Sequence, residues 1–105
     1  MIPETVVARI AVRAAHEALI RQAGQSPARL GLGPAPSTAA VHDGSARLTV
    51  YLDLPYPVDI ARTCGEMRRY ISDRVSHLTG LRIDDLTVSV QRLVTGESLQ
   101  RGRAN

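Results

Sequence analysis

The segment SHLTGLRIDDLTVSV (residues 76–90) joins one periodic stretch of the chain to another and decides how the fold is built. Gly80 suits the left-handed position that closes an α-helix, and Leu81 is placed to fold back onto the last turn in a Schellman motif. Beyond it, apolar and polar residues alternate, as in a strand with one buried face. We therefore predict that a helix ends at Gly80 and that the next strand has three inward residues, which are Leu86, Val88 and Val90.

The helix before this joint has the strongest periodicity in the chain, because its apolar residues recur at steps of three and four. This apolar stripe consists of Ile60, Cys64, Met67, Ile71, Val75 and Leu78. Pro57 is well placed at or just before the first turn of the helix. Gly65 lies inside the helix, where glycine costs about 1 kcal/mol relative to alanine, and we expect it to mark close contact with a neighbouring backbone.

Residues 4–23 form a second predicted helix, because they contain no glycine or proline and place apolar side chains at helical spacing. Small alanine residues on its buried side would let this helix approach a sheet closely. On its polar side, Glu17 has the spacing of a surface ion pair with both Arg13 and Arg21.

The region between the two helices contains a loop and a predicted hairpin. Residues 24–37 are rich in glycine and proline, so neither a helix nor a strand is expected to run through them. Asp43 and Gly44 are typical of a tight hairpin turn, which needs residues with positive φ. Residues 46–54 then alternate between apolar and polar, which indicates a strand with one buried face.

The predicted element order is therefore α-β-β-α-β, which indicates an α+β fold. We predict a two-layer sandwich in which a three-stranded mixed sheet carries both helices on one face. The two strands joined by the second helix are expected to be parallel, whereas the lateral strand order stays open. Residues 1–94 form a single predicted domain, and the polar, aperiodic residues 95–105 form a predicted flexible tail.

Composition restricts the class of protein. The chain has 105 residues, the size of one domain, and its core must be aliphatic because it contains three tyrosines but no phenylalanine or tryptophan. No apolar run is long enough to span a membrane and no signal peptide is evident, so we expect a cytoplasmic protein. All 13 basic residues are arginine and the net charge is +3. That arginine bias is typical of GC-rich coding, as in actinobacteria.

Candidate catalytic and metal-binding groups are scattered. The three histidines, His16, His42 and His77, do not have the spacing of metal ligands. Cys64 lies on an apolar stripe, which indicates a buried structural thiol, and as the single cysteine it can form no intrachain disulfide. We predict no catalytic, cofactor-binding or metal-binding residues.

Three sets of polar residues have simpler explanations than catalysis. Asp84 and Asp85 are adjacent on a strand and therefore point to opposite faces, so we expect them to solvate the strand entrance. Asp53 and Asp59 flank the Pro-Tyr-Pro corner, where they would cap the start of the second helix. The glycines of the 31–34 loop lack the spacing of a phosphate-binding motif.

A nucleic-acid-binding module is the alternative function. The α-β-β-α-β order is similar to that of one type of KH domain, but the GxxG loop of that domain is missing, since no two glycines lie three residues apart. The densest basic group is interleaved with acidic residues, which indicates a solvated helix face. Its members are Arg62, Arg68, Arg69 and Arg74. We therefore do not expect nucleic acid to be the main partner.

The run from Val58 to Val94, with a long helix, a Thr-Gly-Leu joint and an alternating strand, resembles the C-terminal half of the alkaline shock protein family. These are small envelope-stress proteins of Gram-positive bacteria. The helix VVARIAVRAAHEAL and the strand RLTVYLDLPY are also similar to the layout of that family. The chain departs from it by starting almost directly at the first helix and by its glycine- and proline-rich loop.

The resemblance implies a non-enzymatic cytoplasmic interaction or scaffold protein that associates with itself or with a family paralogue. Some members are held at the inner face of the cell membrane by a small anchor protein, and the family implies no cofactor and no small-molecule substrate. The expected interaction surface is the polar face of the sheet. Its residues are Arg47, Thr49, Tyr51, Thr87, Ser89 and Gln91.

Overall fold

The computed structural model describes residues 2–25 and 27–95 of the chain. Its elements are α1 (Glu4–Ala23), a 3-10 turn (Pro27–Leu30), β1 (Ser37–His42), β2 (Ser45–Tyr56), α2 (Ile60–Thr79) and β3 (Arg82–Thr95). The predicted α+β class and the α-β-β-α-β order are confirmed, and a single short 3-10 turn is added within the predicted loop.

The three strands form one mixed sheet in the order β1-β2-β3. β1 is antiparallel to β2, and β3 is parallel to β2 as expected for two strands joined by a helix. The β1–β2 hairpin turns at Asp43 and Gly44, whose φ angles of 48° and 77° are those that such a turn requires. β2 is therefore the central strand, which settles the lateral order.

The core lies between one face of the sheet and both helices. The inward side chains of β2 are almost completely buried, with Leu48 2% exposed and Val50, Leu52 and Leu54 0% exposed. α1 contributes Val7, Ala11, Ala14, Ala15, Ala18 and Leu19, and α2 contributes Cys64, Met67, Ile71 and Val75. The core is aliphatic, as the composition requires.

The joint between α2 and β3 forms as predicted at Gly80, with one difference in its hydrogen bonds. Gly80 has a φ of 75°, and its N–H donates to the carbonyl of Ser76 at 2.8 Å. The N–H of Leu81 donates to Oγ1 of Thr79 at 3.1 Å. The helix therefore ends in the simpler αL motif rather than in the predicted Schellman motif, and the Leu81 side chain packs against the core.

The ends of the predicted α2 stripe lie outside the core. Ile60 is 42% exposed and Leu78 is 52% exposed, so only the central part of the stripe packs. The expectation for Gly65 is also wrong, because a Cβ placed there would have no neighbouring atom within 4 Å. Asp59 is the N-cap of α2, and its carboxylate accepts a hydrogen bond from the N–H of Arg62 at 3.1 Å.

The boundaries of two strands differ from the sequence prediction. β2 continues through Pro55 to Tyr56, and a cis peptide bond joins Tyr56 to Pro57. β3 continues to Thr95, so the predicted tail begins one residue too early, and the rest of that tail lies outside the described residues. In the described part of the chain, neither long helix has the length and apolar character needed to cross a membrane.

Candidate interaction surface

The polar face of the sheet, on the side away from the helices, brings the predicted surface residues together. Thr49 lies opposite Thr87 and Tyr51 lies opposite Ser89 in the β2–β3 register. Thr38 of β1 lies opposite Thr49, so three threonines form a row across the sheet. A row of exposed or half-exposed hydroxyl groups can donate and accept hydrogen bonds without carrying charge.

The two remaining predicted surface residues lie at either end of this face. Arg47 is exposed and stands opposite Asp85 of β3. The side-chain amide of Gln91 donates to Oγ of Ser89 at 3.3 Å, which keeps Gln91 on the same face. The structure therefore places all six predicted residues on one continuous surface.

Asp53 is the residue of this face that the sequence prediction misassigned. It does not cap α2; it is 6% exposed and its Oδ2 accepts two hydrogen bonds, from the N–H of Gly33 at 2.8 Å and from Nη2 of Arg92 at 2.9 Å. The hydrogen bond from Arg92 holds the pKa of Asp53 below its usual value, with help from the Gly33 N–H and against the opposing effect of burial. Asp53 joins the loop, β2 and β3.

The glycine- and proline-rich loop closes the part of β2 that extends beyond β1. The carbonyl of Pro36 accepts a hydrogen bond from the N–H of Tyr51 at 2.9 Å. A Cβ on Gly33 would lie 3.1 Å from Oδ2 of Asp53, so glycine permits this close approach. Leu32 and Ala35 of the same loop are each 7% exposed and belong to the core. The loop therefore packs against the sheet and covers the edge of β2 beyond the end of β1.

The outer edge of β3 is the most open feature of the sheet. Among the residues that the structure describes, no strand lies beside β3 on the side away from β2. Two register shifts interrupt its pairing with β2, where Asp84 and Gln91 are extra residues of β3. Such bulges re-aim side chains and are common at sheet edges. The inward side chains of β3 are also less buried than those of β2, since Val88 and Val90 are half-buried and Leu93 is 40% exposed.

The outer edge of β1 differs from that of β3. β1 is short, and its Val41 N–H donates to Oε2 of Glu4 at 2.9 Å. An outward-pointing backbone donor is therefore already occupied by a side chain of α1. Short strands and covered donors are the devices that limit pairing at an edge.

The polar residues between the helices act as packing partners. Oε1 of Glu17 accepts hydrogen bonds from the hydroxyl of Tyr70 at 3.1 Å and from Nε of Arg74 at 3.3 Å. The predicted partners of Glu17 within α1 are therefore replaced by residues of α2, while Arg21 lies over the Tyr70 ring at 4.9 Å. These contacts tie α1 to α2 beside a cavity of about 280 Å³.

The groups singled out for chemistry do not converge. Cys64 is 9% exposed, and burial raises the pKa of its thiol, with a smaller opposing effect from Arg68. His42 is on the surface beside Asp43, at 3.1 Å, and Asp84 pairs with Arg82 at 3.4 Å. Within residues 2–25 and 27–95, no group of three or more histidine, cysteine or acidic side chains is arranged to hold a metal ion.

A shallow cavity of about 400 Å³ lies at the hairpin end of the polar face. His42, Arg47 and Arg82 line it, together with the acidic residues Asp43 and Asp84. The mixed charges give this end of the face a polar but nearly balanced lining.

Known proteins offer no further guide to this surface. No protein-family model, no curated protein and no solved structure matches the chain.

Proposed function

We propose that the chain is a protein-interaction module without enzymatic activity, which works through its sheet. The observation that carries the proposal is the long outer edge of β3, which adjoins the polar face and has no partner strand within the described part of the chain. An open strand edge offers backbone donors and acceptors in a regular row, and proteins use such rows to add a strand from a partner. The side chains on either side of the row then give selectivity.

The polar face supports the same proposal. Its hydroxyl and amide side chains present many hydrogen-bonding groups over a continuous area, around the threonine row and Tyr51. By contrast, the thiol of Cys64 is in the core, and the histidines His16, His42 and His77 lie on separate elements. A broad polar face beside an open strand edge suits binding of a macromolecule.

The cellular setting is proposed from the resemblance. We place the chain with the alkaline shock proteins, as a cytoplasmic scaffold of the envelope stress response that associates with itself or with a paralogue. A small anchor protein would hold it at the inner face of the membrane. The supporting feature is the run of residues 58–94, which forms a helix, a Thr-Gly-Leu joint and a strand. The apolar side chains of this helix and strand form the second half of the core.

Sedimentation velocity of the full chain, from low to high micromolar concentration, tests the proposal. We expect a rise in average mass with concentration, or a stable complex with a protein retrieved by the tagged chain from its host and identified by mass spectrometry. A chain that stays monomeric at every concentration and retrieves no protein would overturn the proposal.

Nucleic-acid binding is the second candidate, because Arg47 and Arg82 lie together with His42 at the hairpin-end cavity, where Asp43 and Asp84 nearly balance their charge. Each phosphate neutralised by an arginine releases counterions, so binding should weaken steeply as salt increases. A gel-shift series with single-stranded RNA at low salt measures this. No shift at low salt excludes the candidate, and because Arg82 already pairs with Asp84, that is the result we expect.

A further inference from the structure

The outer edge of β3 is complementary to itself. We propose that two copies of the chain pair antiparallel through β3, about a twofold axis through Val88, to give one continuous six-stranded sheet. This inference rests on the proposed function and names the partner as a second copy. It follows from the order of side chains along β3, not from the presence of an open edge alone.

The apolar residues of β3 match across that axis. An antiparallel pair aligns each residue with a partner at equal distance on the other side of the axis, and aligned residues share a face. With the axis at Val88, Leu86 faces Val90 of the second copy and Ile83 faces Leu93. All of these lie on the side of the sheet that carries the helices, because Ile83, Leu86, Val90 and Leu93 are aligned with Ala46, Leu48, Leu52 and Leu54 of β2.

The polar residues match in the same register. Thr87 faces Ser89 of the second copy on the polar face, and Asp85 faces Gln91. Asp84 faces Arg92, so each end of the paired segment sets one acidic residue against one basic residue. The guanidinium of Arg92 already binds Asp53, yet its side chain is 63% exposed and has further N–H groups to donate.

The two extra residues of β3 lie on either side of Val88, with Asp84 four residues before it and Gln91 three residues after it. Between them, residues 85–90 pair with β2 without a register shift, and the proposed axis at Val88 lies within this uninterrupted stretch.

Neighbouring registers fit less well. An axis at Thr87 would set Arg82 against Arg92, and like charges directly opposite each other destabilise a strand pair. An axis at Ser89 would set Arg92 against Leu86 and Asp85 against Leu93. Of these three axes, only the one at Val88 gives both Asp84 and Asp85 a polar or basic partner while Ile83, Leu86, Val90 and Leu93 face one another, although it sets Arg82 against Val94.

The packing around β3 leaves room for this partner. Val88 and Val90 are half-buried and Leu93 is 40% exposed, so the helices leave part of the apolar side of β3 uncovered. A second copy would bury these side chains. β1 is a poorer edge, because Glu4 already accepts the hydrogen bond of its Val41 N–H.

Cysteine cross-linking tests the register. Val88→Cys, Thr87→Cys and Ser89→Cys are made singly in a Cys64→Ala background, and each is oxidised gently and run on a non-reducing gel. Directly opposed residues have Cα atoms about 4.5–5.5 Å apart, within the reach of a disulfide, whereas a residue one step off the axis is too far from its own copy. We expect a cross-linked dimer with Val88→Cys, formed at least about fivefold faster than with the two controls.

Equal rates at all three positions, or a preference for Thr87→Cys or Ser89→Cys, would overturn the register. If Val88→Cys does not fold, as judged by circular dichroism, Asp84→Arg with Asp84→Asn as its matched control replaces it. Asp84→Arg places an arginine opposite Arg92 at both ends of the pair, and like charges directly opposite each other destabilise a strand pair. We therefore expect the Kd of the dimer to be at least about fivefold higher than with Asp84→Asn. No difference between these two variants would overturn the proposal.

The outcome separates this inference from the proposed function. A chain that self-associates but gives no preferential cross-link at Val88 retains an interaction function and loses this interface. A strictly monomeric chain that binds another protein also excludes the interface without excluding the function.

Discussion

Asp53 makes the most consequential single-residue contacts in the sheet. Its buried carboxylate accepts one hydrogen bond from the Gly33 N–H of the loop and another from the Arg92 guanidinium of β3. A carboxylate almost removed from water is stable only when such donors replace its hydration. The contact therefore fixes both the loop and the far end of β3 against the central strand.

Asp53→Asn should lower the free energy of unfolding by about 1–2 kcal/mol, because a neutral amide makes a weaker bond to the guanidinium than a carboxylate does. Asp43→Asn is the matched control: the Asp43 side chain is 87% exposed, and its loss should change stability by less than about 0.5 kcal/mol. Urea unfolding at neutral pH measures both variants. Equal effects would show that the Asp53 contacts do not stabilise the fold.

The same carboxylate predicts a dependence on pH. The pKa of Asp53 is lowered in the folded chain, so its stabilising effect is complete above the unfolded value of about 3.9 and is lost as the pH falls through the lower folded value. Unfolding curves taken towards acid should therefore show the wild type and Asp53→Asn converging in stability. A constant difference down to the most acidic pH would contradict this explanation.

Cys64 should react slowly with a thiol reagent in the folded chain. It is buried, and burial raises the pKa of its thiol, so little thiolate is present at neutral pH. Labelling with a chromogenic disulfide reagent should be far slower for the native protein than for the urea-unfolded protein, which is the control. Equally fast labelling would point to an accessible thiol and would reopen a nucleophilic role.

The sequence pattern of α2 predicts its ends better than it predicts the burial of its apolar side chains. The helix begins after Asp59, its N-cap, and ends at Gly80. Both ends depend on residues that are close in sequence, so their approximate positions could be predicted. The exposure of Ile60 and Leu78 could not, because helical spacing shows which side is apolar but not how far the sheet extends beneath it.

Gly65 and Gly80 should respond in opposite directions to substitution by alanine. Gly65→Ala adds a Cβ where no atom lies within 4 Å and should stabilise the fold by up to about 1 kcal/mol. Gly80→Ala should destabilise it by about 1–2 kcal/mol, because Gly80 has a φ of 75°. Thermal unfolding compares the two, and a loss of stability in Gly65→Ala would indicate an unrecognised contact at that position.

For the fold as a whole, the sequence predicts the layers and the polar face better than it predicts the contacts that join them. Alternation placed Thr49, Tyr51, Thr87 and Ser89 on one side of the sheet, because side-chain direction in a strand repeats every two residues. The partners of Asp53 and Glu17 were not predictable, since Gly33, Arg92 and Arg74 come close only after the loop and helices pack. The bulges at Asp84 and Gln91 likewise exist only relative to β2.

The polar face and the open edge together decide how the molecule would associate. Pairing through β3 would continue the sheet and set Ser89 of the second copy beside the threonine row, placing two polar faces side by side on one assembly. The shorter edge at β1 would remain at each end of the joined sheet, with Glu4 on its backbone. The expected assembly is therefore a closed dimer, and larger species would require a further surface.

Hydrogen–deuterium exchange of the wild-type chain at low and high concentration tests association through β3 without any substitution. Pairing with a second copy should slow exchange of outward-pointing amides between Asp85 and Gln91 as concentration rises, while amides of β1 exchange at unchanged rates. Protection of β3 that is independent of concentration, or that appears instead at β1 or on the helices, would contradict association through this edge.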